Sequence, residues 1–290
     1  MTCYSVLHTQ FLDLSAYFFV TRISVRNFAL VKYRTMKIAE TIMHGLTAAV
    51  DVFLPRVCVV CGERLLRKEN HICLHCLADM PLTHFWEMKC NPMADKFNAL
   101  IQHGLEKDME AGAGKRSERY AFAVSLFFYS HEAQYRQILY NLKYEGRTEL
   151  GAYFGKMLGK RIVTSAAFRD VDCIIPVPLH WARKWKRGYN QAEVIARGIS
   201  LALGSPLRCD ILRRRRRTKT QTKLSVTGKA ANVAGAFCVD SAHCSPSIKH
   251  ILLVDDLFTT GATLHACFTA LRAAFPSEVR ISVATLGFVG

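Results

Sequence analysis

Four short apolar runs, spaced by stretches of helical character, constrain this chain more than any other feature. "YAFAVSLFFYS" (120–130), "VDCIIPVP" (171–178), the run at 248–254 and "VRISVATLGFV" (279–289) read as strands. Residues 131–143, 148–165, 190–203 and 262–275 read as helices, and "AGAFCV" as one further short strand. Such alternation predicts an α/β domain with a mainly parallel sheet flanked by helices. At 290 residues, half of them apolar, the chain can bury a core in one or two domains.

The third run ends in an unusual way: "ILLVDDLFTTGATL" (251–264) places Asp255 and Asp256 side by side at the end of a buried strand. In parallel sheets, ligands gather beyond the carboxyl ends of strands. Thr259, Thr260, Gly261, Ala262 and Thr263 follow, and then a helix begins. Small residues let backbone N–H groups approach an anion, and the helix start adds its positive end. The two carboxylates suit vicinal hydroxyls, so a ribose 5-phosphate satisfies both halves. The plainer alternative is a pair of solvated acids capping the helix. An acidic strand of a nucleotide triphosphatase would need a G-x-x-x-x-G-K-[ST] loop, and "AGAGKRS" (111–117) fails it at Arg116.

"VDDLFTTGAT" resembles the phosphoribosyl-pyrophosphate (PRPP) signature of type I phosphoribosyltransferases. "LKYEGRTELG" (142–151), "PVPLHWARKWKRGYNQAEVIA" (176–196) and "RRRTKTQTKLSVTGKAANVAGAF" (215–237) resemble, in the same order, the competence-associated ComF family. The resemblance implies a type I phosphoribosyltransferase-like fold preceded by a small zinc-ribbon module. It implies that Asp255 and Asp256 hold the ribose and act in catalysis, and that 259–263 bind the 5-phosphate. Lys229 departs from the pattern, since an arginine is expected there; charge survives but bidentate geometry is lost.

By the same resemblance, Pro178, Leu179, His180, Arg183 and Arg187 lie against the pyrophosphate of PRPP. Arg215, Thr218 and Gln221 belong to a mobile loop that closes over it, excluding water from an electron-poor ribose carbon. Mg²⁺ would ride mainly on ligand oxygens. The implied activity is phosphoribosyl transfer with pyrophosphate release to an unidentified acceptor, linked to DNA uptake and to competence-machinery partners, with a homodimer common in the superfamily. Two other readings stay open, a non-catalytic single-stranded DNA-binding accessory and a nucleotide sensor. "RRRRRTKTQTK" (213–223) carries seven cations in eleven residues, and Trp181, Trp185 and Tyr189 interleave with charge at 181–189. Aromatic rings among cations can stack bases, although basic runs are often only solvated faces.

The eleven cysteines include two CxxC pairs, Cys58/Cys61 and Cys73/Cys76. Four thiolates in that spacing suit a closed, structural Zn²⁺ site. His71, His75 and Cys90 lie nearby as lesser candidates. An odd count in a chain of this size fits a reducing, cytoplasmic setting better than secretion. A formal charge of +16 favours anionic partners without choosing among them.

Near the start, the apolar stretch at 11–20 contains Asp13 and is too short to span a bilayer, and it lacks the marks of a signal peptide. Met36 is a candidate translation start. The organisation expected is an N-terminal extension (1–35), an amphipathic helix with a ribbon (36–90), a polar linker (91–118) and the phosphoribosyltransferase-like domain (119–290).

Overall fold

The computed structural model describes residues 55–112, 117–214 and 235–290. The helix expected at 36–53, Lys229, and Arg215, Thr218 and Gln221 of the expected closing loop lie outside the described residues. The chain divides into two units, Met1–Val57 and Cys58–Gly290. Every element named below belongs to the second.

Four parallel strands form the central sheet: β1 (Ala123–Phe128), β2 (Cys173–Pro176), β5 (His250–Phe258) and β6 (Arg280–Phe288), in the order β1-β6-β5-β2. Their apolar side chains are almost wholly buried, including Ile174, Ile175, Leu252, Leu253, Val254 and Val283. Each such side chain contributes about 1.5–3 kcal/mol when fully buried, so this run of residues defines the core. Two short strands, β3 (Leu212–Arg214) and β4 (Phe237–Val239), pair antiparallel as a separate ribbon. The strand expected from "AGAFCV" thus exists, outside the main sheet, and its partner ends inside the arginine run.

The helices are α1 (Leu74–Ala78), α2 (Pro92–Glu110), α3 (Arg136–Tyr144), α4 (Thr148–Ile162), α5 (Trp181–Arg187), α6 (Gln191–Leu203) and α7 (Ala262–Ala274). Between α4 and α6 the backbones approach so closely that glycine is required. A Cβ on Gly198 would collide with the Ala152 carbonyl, and one on Gly155 with the Ile195 carbonyl.

The linker expected at 91–118 is corrected by the structure, because most of it is the 19-residue helix α2. Asn91 caps it by accepting from Ala94 N–H at 2.9 Å, and Pro92 occupies the first turn, where its missing N–H costs nothing. Met93, Phe97 and Ile101 recur every four residues and are buried. Asn98 donates to the Ala121 carbonyl at 2.8 Å and accepts from the Ala121 N–H at 2.9 Å, binding the helix to the chain that enters β1. Of the charged residues that suggested a linker, Lys107, Asp108 and Glu110 stand exposed in the last turn of the helix.

Candidate functional site

Strand β5 does not stop at Val254. Its pairing with β6 continues through Asp255 opposite Thr285 to Phe258 opposite Phe288. The acid pair therefore stands on the strand, two residues short of its end, rather than in the loop after it. The Asp256 N–H donates to Asp255 Oδ1 at 2.9 Å. Burial first, and then the charge of Asp256, push the Asp255 carboxyl up from 3.8 to about 7.

A residue that sequence reasoning did not single out completes the pair. Lys143, near the end of α3, places Nζ 2.8 Å from Asp256 Oδ2, with both side chains largely covered. It lies in "LKYEGRTELG", a segment noted for its resemblance without a role for any side chain. Its neighbours also reach the site: the Leu142 carbonyl accepts from Tyr189 OH, and the Tyr144 ring lies 5.3 Å from the Arg187 guanidinium. Three of the four segments that carry the family resemblance are thereby brought together.

After β5, Thr259 and Thr260 are exposed and Gly261 turns the chain at φ +75°. A side chain at Gly261 would be strained by that angle and would meet Phe258 at 2.7 Å and Leu100 of α2 at 2.9 Å. Gly261 also caps α7 and offers no side chain to its first N–H groups. The turn therefore presents hydroxyls and helix-start amides, the donor set that an anion requires.

The segment expected to face pyrophosphate follows β2. Val177 N–H donates to the Val254 carbonyl at 2.8 Å, which holds the segment beside the acid-bearing strand. Pro178 and Leu179 are half-buried, and His180 caps α5 by accepting from Ala182 N–H at 3.3 Å. The expected loop at 181–187 is thus a seven-residue helix. It buries none of its residues; Arg183 is exposed, and Trp181 and Trp185 are 60% and 89% exposed. Arg187 is held more firmly, donating to Gln191 Oε1 at 3.0 Å. Asn190 fixes the exit by donating to the Val177 carbonyl at 3.0 Å and capping α6.

The sulfur atoms of Cys58, Cys61, Cys73 and Cys76 all lie within 4.8 Å of one another. Two tight turns produce this. Cys58 Sγ accepts from Val60 N–H and Cys73 N–H, and Cys73 Sγ accepts from Cys76 N–H, each at 3.4 Å. Glu69 shapes the spacer between the pairs, its carboxylate accepting from Leu66 N–H at 2.6 Å and Leu74 N–H at 2.7 Å. Burial alone would raise the Cys58 thiol, but N–H donation from Cys61, Cys73 and Val60 outweighs it and brings it down to about 7. Burial and thiol neighbours hold Cys76 well above the ordinary range. Four thiolates this close repel one another unless a dication joins them, so the tetrad fits a structural metal. His71 packs edge-on against Tyr153 at 5.2 Å, and His75 pairs with Asp79 at 3.6 Å. Neither belongs to the tetrad, nor does Cys90. Tyr135 OH donates to the Cys76 carbonyl at 2.8 Å, linking the cluster to the residue before α3.

No helix among the described residues is long and apolar enough to cross a membrane. The phosphoribosyl transferase domain family matches residues 186–286, which include β5, the acid pair and its turn. "Competence protein F" of Haemophilus influenzae is 36% identical over 110 residues, 38% of this chain and 48% of that protein. "DNA utilization protein YhgH" of Escherichia coli is 28% identical over 130 residues, 44% of this chain and 56% of its own length. The chain thus spans about half the length of these two relatives. "Competence protein ComFC" of Bacillus subtilis is 24% identical over 213 residues, covering 72% of this chain and 75% of that one. With the parallel sheet, the acid-bearing strand and the cysteine tetrad in place, the chain belongs to the ComF family and carries a phosphoribosyl transferase domain.

Proposed function

We propose that the chain binds PRPP or a nucleoside monophosphate together with Mg²⁺ and transfers the phosphoribosyl group with release of pyrophosphate. One observation carries this reading: Asp255 and Asp256 stand near the end of a buried parallel strand, with Leu257 and Phe258 between them and the turn at 259–261 that leads into α7. In this reading Asp255 and Asp256 accept hydrogen bonds from the ribose hydroxyls. Thr259, Thr260 and Thr263, with the amides around Gly261 and Ala262, hold the 5-phosphate. Arg187, Arg183 and His180 face the pyrophosphate, with the backbone of Pro178 and Leu179 beside them. As the bond at the ribose C1 lengthens, the carboxylates stabilise positive charge on the sugar and the cations stabilise the departing anion. Arg215, Thr218 and Gln221 would close over the ligand.

Lys143 already neutralises Asp256, so the acid pair is poorly suited to hold a dication alone. When bound, Mg²⁺ would shield the ligand's phosphate oxygens. Cys58, Cys61, Cys73 and Cys76 would hold Zn²⁺ as a structural ion. The setting proposed is cytoplasmic, with a homodimer and competence-machinery proteins as partners, since the relatives carry competence and DNA-utilization names.

Calorimetry of the full chain with PRPP and MgCl₂ tests the binding step, and pyrophosphate release with a panel of amines and nucleobases tests transfer. Loss of binding in Asp255→Asn, Asp256→Asn is expected; wild-type protein that takes up neither PRPP nor a nucleoside monophosphate defeats the proposal. Binding without pyrophosphate release from any acceptor would leave a nucleotide sensor.

A second reading, single-stranded DNA binding, is favoured by Trp181 and Trp185, which stand exposed among Arg183, Lys184, Lys186 and Arg187. Base stacking on an aromatic ring contributes about 1–3 kcal/mol per base. Anisotropy with a labelled oligonucleotide should then show affinity that falls steeply with salt and weakens in Trp185→Ala. Affinity indifferent to both would remove this reading.

A further inference from the structure

We propose that Lys143 is a positioning residue of the ligand site, fixing Asp256 through their ion pair and tying the acid pair, by way of the end of α3, to the Arg187–Tyr189 segment. The inference rests on the reading of the acid pair as ribose ligands and adds a residue to which no role had been given.

The geometry is specific. Lys143 Nζ and Asp256 Oδ2 are 2.8 Å apart, with side chains 22% and 15% exposed. A pair this covered is held far better than a solvated one, whose net contribution is small. The lysine sits in the last turn of α3, where a cation also meets the negative end of the helix. Residues on either side of it grip the other half of the site. Leu142 offers its carbonyl to Tyr189 OH, and Tyr144 lies beneath Arg187, which is itself bonded to Gln191. One turn of helix therefore touches both the acids and the basic segment, although these arrive from different strands. Movement of α3 would shift Asp256 and Arg187 together.

Among the described residues, the charged and titratable groups around Asp255 are few. Asp256 adjoins it on β5, Lys143 approaches from α3, and the buried Cys267 thiol of α7 lies within reach of its charge, as well as that of Arg214 on β3. Among the described residues, Lys143 is thus the cation acting on Asp255. Removing it should have opposite consequences from removing Asp256: the first withdraws an attractive charge from Asp255, the second a repulsive one.

Two measurements on the full chain decide the matter. The first needs no ligand. Carbon-13 NMR of the Asp255 carboxyl is followed against pH in wild type, Lys143→Met and Asp256→Asn. The midpoint should rise in Lys143→Met and fall in Asp256→Asn; an unchanged midpoint in Lys143→Met overturns the proposal. The second is calorimetric titration with adenosine 5′-monophosphate and MgCl₂. Lys143→Met should weaken binding about tenfold, the scale of a lost hydrogen bond to a charged group, and Lys143→Arg should recover part of it. Combining Lys143→Met with Asp256→Asn should lose less than the sum of the two single changes. Strict additivity, or full affinity in Lys143→Met, refutes the positioning role. Thermal melts of each variant identify any that fail to fold, and Lys143→Arg then carries the comparison. A wild-type protein that binds no nucleotide would sink the functional reading, while the carboxyl titration would still decide the role of Lys143.

Discussion

Leu100 on α2 stands against the backbone of Gly261, with Cδ1 only 2.9 Å from the place a Cβ would take. Gly261 also holds φ at +75°. Two independent constraints thus exclude a side chain at the centre of the turn after the acid pair. Gly261→Ala should destabilise the protein by about 1–3 kcal/mol, the range for a non-glycine residue held in such a conformation, and should weaken phosphate-containing ligands further. Adding Leu100→Ala should recover part of the loss, since it removes one of the two collisions. Urea unfolding of the single and double variants checks this, with additivity as the contrary outcome.

Asp255 implies a pH dependence of unusual sign. Its carboxyl is raised from 3.8 to about 7, so between those values the folded chain binds more protons at this site than the unfolded chain. Stability from this group is present at low pH and is lost as pH climbs through about 4 to 7. Asp255→Asn should therefore stabilise the protein at pH 8, on the order of a few kcal/mol, and change little near pH 4. Denaturation curves at the two pH values measure it. The same variant should lose ligand, as expected where function retains a costly group.

The cysteine tetrad should hold one metal ion per chain, detectable by elemental analysis of the purified protein. Replacement of Cys58, Cys61, Cys73 or Cys76 by serine should abolish that stoichiometry, because a closed site needs all its ligands. Chelation should lower the melting temperature and should also disturb α3, since Tyr135 OH holds the Cys76 carbonyl. Hydrogen exchange at 136–144 with and without chelator would register the link.

Arg187 predicts a discrimination between ligands. Its guanidinium lies over Tyr144 and bonds to Gln191, a planar arrangement that an ammonium group cannot reproduce. Arg187→Lys should weaken PRPP by about tenfold while leaving a nucleoside monophosphate, which has no pyrophosphate, nearly unaffected. Parallel titrations with the two ligands separate these outcomes.

Much of this architecture could be read from the chain because its strands are continuous apolar runs and its acid pair has few structural explanations. The four core strands and the helices α3, α4, α6 and α7 stand close to where the pattern placed them. What escaped notice did so for physical reasons. The apolar face of α2 consists of only a few residues, Met93, Phe97 and Ile101 among them, and the polar, charged stretch at 106–119, which runs past its end, dominated the composition of the segment. The cap at Asn91 and the proline after it were the signal available. Strand β3 was concealed because only Leu212 of its three residues is buried and two are arginines. Lys143 was invisible because its partner is distant in sequence, and an ion pair of that kind leaves no periodicity. The extension of β5 past Val254 required its neighbour β6, which supplies the pairing for residues that look like loop.

That extension has a consequence for how a sugar would be met. Since Asp255 is locked in register with Thr285, and Phe258 with Phe288, the carboxylates need no gathering when a guest arrives. Recognition would resemble a key entering a fixed ward, with little ordering penalty at the acids, and selectivity would follow from the rigid separation of the two groups.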